Sequence, residues 1–365
     1  MRAAGSSWFR RYLLPGFAFK AVVIGGGYAT GRELAVFFLP SGPLGGVLGM
    51  LLAMLVWSGV CAATFAFAQA TAAYDYRRFF RELLGPGWVV YEIAYLLFLV
   101  LVLAVFGAAA GAIGAAMLGW PPLAGTLCLM IGIAGFVAFG NESVEQLFKW
   151  VTFFLYGVYA VFVVLALTTF GDRVAANFAA PAASDGWVIG GLTYAGYNIV
   201  GAVIILPALR HLTSRRDAVI AGLAAGPLAM LPAVLFFVCM VAFYPAIGKA
   251  TQPSDFLLQR LGLPWFHALF QLMLFLALLE SGSGIVHAIN ERVASSFAAG
   301  GRTLSTPMRL AVASALLVGS IFLADRYGMV ALIASGYRLL ALVFLVVYVL
   351  PLLTLGVWRL VQAKG

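Results

Sequence analysis

The sequence predicts an all-α integral membrane protein of about ten transmembrane helices, and three observations predict it. Of its 365 residues, 64% are hydrophobic and only 10% are charged, with a mean hydropathy of +1.04. A soluble chain is about a quarter charged and under half apolar, so this one has too few polar side chains to cover its own surface. The apolar residues also fall in continuous runs of the ~20 residues that cross a bilayer as helix, not in the short alternating strands of a membrane barrel. Finally, seven of the eight tryptophans fall at the ends of these runs, where an amphipathic ring settles at the headgroup level.

The spans are expected at 14–39, 44–70, 87–118, 121–139, 146–170, 187–209, 218–244, 264–290, 304–324 and 328–358. Trp8 precedes span one, Trp88 opens span three, and Trp120 separates spans three and four. Trp150 lies near the start of span five, Trp187 opens span six, Trp265 opens span eight and Trp358 closes span ten. Only Trp57 is placed mid-span. Arg10 and Arg11 before an apolar run resemble the start of a signal peptide. However, Lys20 interrupts that run, no small-residue cleavage site follows, and apolar sequence continues past residue 36. The segment is therefore expected to stay as the first span.

Sixteen Lys and Arg residues lie on the segments that share a side with the N-terminus, counting Lys20, and four on the opposite side. This asymmetry predicts both termini on the cytoplasmic face of the cell membrane. It also accounts for the net charge of +9 without nucleic acid, because the basic residues are scattered over the inner loops. The stretch YDYRRFFREL at 74–83 reads as an amphipathic helix on the inner surface. Glu92 is one turn from that surface and is expected to snorkel or to pair with Arg81, while Glu142 and Glu145 in NESVEQLFKW open a solvated helix. Cys61, Cys128 and Cys239 lie in apolar runs without C-x-x-C spacing, so no disulfide or metal framework is expected. Gly107 and Gly111 read as close helix packing, and His267 receives no role.

Ten spans divide into five and five. The chain reads as one transmembrane domain, 1–365, whose halves are 14–170 and 187–358. Five is odd, so the second half must be inverted relative to the first. Tyr28-Ala29 in span one is echoed by Tyr194-Ala195 in span six, each flanked by glycine. Inverted repeats with interrupted helices in corresponding positions are a transporter pattern.

The stretch GGGYATGRE at 25–33 sharpens that reading. It lacks the third glycine of a dinucleotide fingerprint and the Gly-Lys-Ser/Thr of a phosphate loop. Each glycine costs a helix roughly 1 kcal/mol relative to alanine, so four in seven residues favour unwinding. Unwound backbone within a bilayer must face a cavity, an ion or a ligand. The competing explanation is that small residues let helices pack closely.

VIGGGYATGRELAVFF resembles the first-helix signature of YkvI-like membrane proteins, a Gly-rich G-x-G-[FY]-A-T-G-Q-E stretch, and SGSGIVHAINER in span eight resembles that family's pattern too. Arg32 stands where the pattern has Gln. The family is similar to the LeuT-fold amino acid–polyamine–cation transporters. The resemblance implies a LeuT-like 5+5 inverted repeat with spans one and six broken around a central site, and spans three and eight beside it. It implies substrate contacts from Gly25, Gly26, Gly27, Tyr28, Ala29, Thr30, Gly31 and Arg32, and from Thr193, Tyr194, Gly196, Tyr197 and Asn198. Tyr28, Tyr194 and Tyr197 either form a lid over the ligand or simply pack. In LeuT-like sodium carriers, first-helix carbonyls and eighth-helix hydroxyls hold sodium. Ser281, Ser283 and the carbonyls near Gly25 resemble that arrangement.

Ionisable side chains at membrane depth are rare and mostly functional. Arg32 and Glu33 either form an ion pair that props the break, or Arg32 anchors an anionic substrate. Glu280 shares a helix face with Ser283 or Gly284 and with His287. It is read as an ion ligand or proton carrier, or as a salt-bridge partner of Arg338 or Arg32. Glu33, Glu280, Ser281, Ser283 and His287 are thus the coupling candidates, with Na+ or H+ as the ion and no other cofactor; His287 alternatively just ends its helix.

These features predict a secondary transporter for an amino acid or similar small zwitterion or anion, working by alternating access. The partners are that solute and the bilayer, and the sequence specifies no oligomeric state. A channel or a membrane sensor is the alternative, although a channel needs no broken helices in both halves and the ten expected spans leave no room among these residues for the output domain of a sensor. A lipid-modifying enzyme ranks lower. Asp-rich, H-E-x-x-H and G-x-S-x-G motifs are absent, and ESGSG lacks the nucleophile spacing.

Overall fold

A chain that spans a bilayer must pair its backbone N–H and C=O groups within itself. In the computed structural model, which describes residues 8–24, 30–139, 142–182, 184–299 and 305–362, all regular structure is accordingly helical. Seven stretches are long and apolar enough to cross a membrane. The other expected spans differ from these for local reasons. Pro122–Ala138 is a shorter apolar helix, and spans nine and ten run together as Pro307–Gln362, parting at Gly328 where φ is +67°. Span one is split into Leu14–Val23 and Arg32–Phe37, each too short to cross alone. The fold class is the predicted one: about ten spans, with spans one and six interrupted.

The second interruption falls later than expected. Trp187–Asn198 is a continuous helix, so Thr193, Tyr194, Gly196, Tyr197 and Asn198 are helical rather than unwound. The turn comes at Ile199 and Val200, followed by the four-residue helix Gly201–Ile204 and a 3-10 turn at Leu206–Leu209. Pro207, which cannot donate to a helical ladder, lies in that 3-10 turn and ends the short helix Gly201–Ile204.

Four other expectations change. Span five is one helix, Glu142–Ala179, that already includes the acidic NESVEQ stretch; the side chains of Glu142 and Glu145 lie outside the described residues. Lys20 sits in the last turn of Leu14–Val23, not in an inner loop. The 74–83 stretch does form a helix, Tyr76–Leu84, capped by Asp75, whose carboxylate accepts from the Arg78 amide at 2.9 Å. Its apolar face meets protein rather than lipid: Phe79 packs on Phe67 at 5.2 Å between ring centroids, and Phe80 stacks on Tyr91 at 3.5 Å. Glu92 pairs with Arg77 at 3.5 Å and accepts from the Tyr76 hydroxyl at 2.9 Å, while Arg81 lies over the Trp88 ring.

Packing follows bilayer logic. Span two shows lipid a stripe of Leu44, Leu48, Leu51 and Leu55 and turns its opposite face to spans six and seven. There the Trp57 indole donates to the Ala195 carbonyl at 3.2 Å and the Ser58 hydroxyl to the Leu223 carbonyl at 2.9 Å. A buried Trp with a satisfied N–H explains the one tryptophan found mid-span. Gly107 and Gly111 let span three approach span four, where Thr126 donates to the Gly107 carbonyl at 2.8 Å.

Candidate functional site

The break in span one, the turn in span six and the middles of spans three, eight and ten surround a cavity of about 290 Å³. Span one supplies Ala21, Val22 and Val23 from the end of its first helix and Glu33 from the start of its second. Span six supplies Tyr197 and Asn198, the last residues of its long helix, and then Gly201 and Ile204. Glu33 and Tyr197 join the two broken spans directly: the phenol donates to the carboxylate at 2.5 Å, and both residues are buried.

Span three adds Tyr95, Phe98, Leu99, Val102 and Phe106, which recur at three- and four-residue steps and so share one helix face. This stripe is visible in the sequence, yet among so many apolar residues it does not stand out. Tyr337 of span ten was also missed. It lies in a π-helical turn, Leu332–Tyr337, and stacks on Tyr197 at 4.4 Å between centroids. π-turns inside longer helices recur at functional positions.

The expected site residues separate into groups. Gly25, Gly26, Gly27, Tyr28 and Ala29 lie outside the described residues, as do the carbonyls near Gly25. Glu33, Tyr197, Asn198 and Ser281 line the cavity. Thr193 and Gly196 are not in its lining; Gly196 instead faces the backbone of Ala341. Tyr194 is buried behind the wall, packed on Phe38 at 4.8 Å and Trp57 at 5.4 Å.

Span eight is divided in the same way. Ser281, Gly284 and Ile285 face the cavity, whereas Glu280, Ser283 and His287 are not in its lining. The Lys20 ammonium sits over the Tyr156 ring of span five at 4.3 Å. The Ser283 hydroxyl is buried without a hydrogen-bond partner among the described residues, and His287 is exposed.

Thr30, Gly31 and Arg32 form a ceiling above Glu33. The Arg32 guanidinium donates to the carbonyls of Gly248 at 3.0 Å and Ala250 at 2.7 Å. It therefore neither pairs with Glu33 nor enters the cavity, because consecutive helical residues point about 100° apart. The Thr30 carbonyl accepts from the Ser254 amide at 2.9 Å. These contacts tie span one to the loop between spans seven and eight, which folds as a short turn, Ala246–Lys249, and a helix, Pro253–Leu261.

Under that loop lies a polar network that gives His267 a role. Asp255 bonds His267 at 2.6 Å, Gln271 at 2.9 Å and Gln259 at 2.7 Å, and Gln271 accepts from Gln252 at 2.8 Å. Asp255→Ala leaves the buried Gln271 amide without its acceptor. We expect a loss of about 1–3 kcal/mol, read as a lower thermal unfolding midpoint in detergent. An unchanged midpoint would show that water replaces the carboxylate.

The cavity shares Tyr95, Ile204 and Ala288 with a smaller chamber of about 180 Å³ that also contains Asp75, Tyr76 and Arg292. Arg292 lies over the rings of Tyr76 and Tyr95, at 4.1 and 4.0 Å. A separate vestibule of about 860 Å³, lined by Asp255, Asp325 and Met329, lies beyond the ceiling and shares no lining residue with the cavity. Among the described residues, no three His, Cys, Asp or Glu side chains cluster to hold a metal ion.

No protein-family model and no curated protein matches the chain. Solved structures do. One is MhsT in complex with L-phenylalanine, with a TM-score of 0.60 and 16% identity, covering 99% of each chain. Another is a variant of the manganese transporter of Eremococcus coleocola, at 0.57 and 17%, covering 96% of this chain and 80% of that one. A third is a Na+-coupled sialic acid symporter in a substrate-bound outward-open state, at 0.61 and 12%, covering 97% and 82%. At these identities the likeness establishes the fold, which is the LeuT fold.

Proposed function

We propose that this protein is a secondary transporter that moves a small organic solute of amino-acid size across the cell membrane by alternating access. One observation carries the reading: the cavity is built where two spans lose their helical ladder, and a buried hydrogen bond between Glu33 and Tyr197 connects them across it. Such a site is suited to alternating access because spans three and eight face spans one and six across it. The similar structures are a complex with L-phenylalanine, a manganese transporter and a sialic acid symporter, so the substrate must be argued from this cavity. Among the described residues its walls carry one carboxylate and no basic side chain, which favours a zwitterion such as an amino acid over an anion.

The coupling ion is Na+ or H+. Glu33 is the proton-carrying candidate inside the cavity, and the unpartnered hydroxyl of Ser283 is the oxygen that a sodium ion would use near span eight. The chamber shared through Tyr95 leads towards Asp75 and Arg292, which the charge asymmetry places on the cytoplasmic side, whereas Arg32 holds the opposite side closed. We read this as an inward-facing arrangement.

Proteoliposomes preloaded with an amino-acid mixture are expected to accumulate labelled solute by counterflow, saturably, and faster under an inward Na+ or H+ gradient. Ion flux without saturation and without counterflow would establish a channel instead.

A further inference from the structure

Building on the transporter reading, we infer that the central cavity recognises its solute through a positively charged amine head and an apolar body, and that a carboxylate on the solute is dispensable. Glu33 is the one charged side chain among the described lining residues. The nearby basic groups are committed elsewhere: Arg32 to the Gly248 and Ala250 carbonyls, and Lys20 to the Tyr156 ring, in a different cavity. Among the described residues no salt bridge reaches Glu33. A buried carboxylate whose partner is a neutral phenol is neutralised by a proton or completed by a cation from outside, so an ammonium can take the place of the proton that Glu33 carries when the site is empty.

The backbone points the same way. Helices Leu14–Val23 and Trp187–Asn198 both end at the cavity, and Val23 and Asn198 are in its wall. The first of these ends carries the partial negative charge of a helix C-terminus and converges with Glu33, while span six only turns at Ile199 and Val200 before resuming at Gly201. The helices that begin there, Arg32–Phe37 and Gly201–Ile204, have six and four residues, too few to set up an opposing positive end of similar size. A solute whose only charge is negative is repelled by this arrangement, and no described side chain in the wall offsets the repulsion.

The rest of the wall selects the body of the ligand. Tyr95, Phe98, Phe106 and Tyr337 present aromatic surface, and Tyr337 extends the Tyr197 ring by stacking. Aromatic faces attract an ammonium and accommodate an apolar chain or ring. A bare metal ion would leave those faces without a contact. The volume, about 290 Å³, lies at the small end of ligand pockets.

Three probes that share one skeleton test this: phenethylamine, phenylalanine and 3-phenylpropionate, measured on the full-length protein in nanodiscs by thermal unfolding and equilibrium binding. Phenethylamine and phenylalanine are expected to raise the unfolding midpoint by mass action and to compete with each other, while 3-phenylpropionate does neither. Glu33→Gln should weaken both amines at least tenfold, and Tyr197→Phe should weaken them less. The probe comparison needs no variant, so a poorly folding Glu33→Gln leaves the test intact. The inference is overturned if 3-phenylpropionate binds, if phenylalanine binds and phenethylamine does not, if neither amine binds, or if a folded Glu33→Gln keeps wild-type affinity. Failure of the transporter reading looks different: amines that bind in a Glu33-dependent way yet give no counterflow leave the site standing and remove transport. Saturable uptake of any solute that ignores Glu33→Gln does the reverse.

Discussion

Gly31→Leu is expected to abolish solute uptake while the protein still inserts and purifies. Gly31 sits at φ +78°, immediately before the helix that carries Arg32 and Glu33. An L side chain in this left-handed region costs roughly 1–2 kcal/mol. Its Cβ would also meet the Phe236 ring at 2.9 Å and Pro253 at 3.1 Å. Phe236 cannot swing clear, because it is held edge-on by Phe162 and Tyr159 at 5.4 and 6.0 Å. The strain is therefore relieved by moving the short helix, and Glu33 moves with it. Displacing a positioned group by ~1 Å costs on the order of 10²-fold in rate, and here the displaced group also holds Tyr197. Gly59→Leu is the control, since nothing lies within 4 Å of that position. Adding Phe236→Leu to Gly31→Ala should restore only part of the uptake, because the backbone cost remains. Full restoration would reduce Gly31 to a packing residue, and wild-type uptake by Gly31→Leu would remove the break from the mechanism.

The sequence reveals the membrane class, the number of spans and the first break for one physical reason: in a bilayer the hydrophobic runs and the helix breakers are both large signals. The position of the second break is less visible. Tyr194 and Tyr197 echo Tyr28, but Ile199 and Val200, where the helix turns, carry no breaker of their own, so no residue type marks the position. Arg32 and Glu33 were recognised as a pair of interest, yet a spacing argument cannot tell that one points to the Gly248 loop and the other into the cavity. The same limit applies in span eight, where Ser281 and Ser283 lie on different faces. His267 was illegible because its partner, Asp255, is on a helix in a loop too polar to attract notice.

Gly222→Ala is expected to prevent folding altogether, a larger effect than its one methyl group suggests. At Gly222 of span seven an added Cβ would lie 2.4 Å from both Cα and N of Ala62 in span two, and 2.7 Å from the Cys61 carbonyl carbon. These are backbone atoms, so no rotamer change makes room and the two helices must separate. One turn later Gly226 meets the Met54 carbonyl oxygen at 2.4 Å and the Ser58 hydroxyl at 2.3 Å. GLAAG at 222–226 thus forms the small-xxx-small seam through which helices associate in lipid, where packing replaces the hydrophobic effect as the driving force. Separation would break the Ser58 bond to Leu223 and pull Trp57 from the Ala195 carbonyl, so the loss spreads to span six and the cavity. Size-exclusion chromatography should show no monodisperse Gly222→Ala protein, whereas Gly59→Ala on the same span two should elute normally. A monodisperse, wild-type-like Gly222→Ala would mean that spans two and seven are not rigidly joined. The location of the seam matters for transport. Spans two and seven occupy corresponding places in the two inverted halves, so fixing them to each other leaves spans one and six, whose ladders are already broken, as the parts with the least helical continuity to lose.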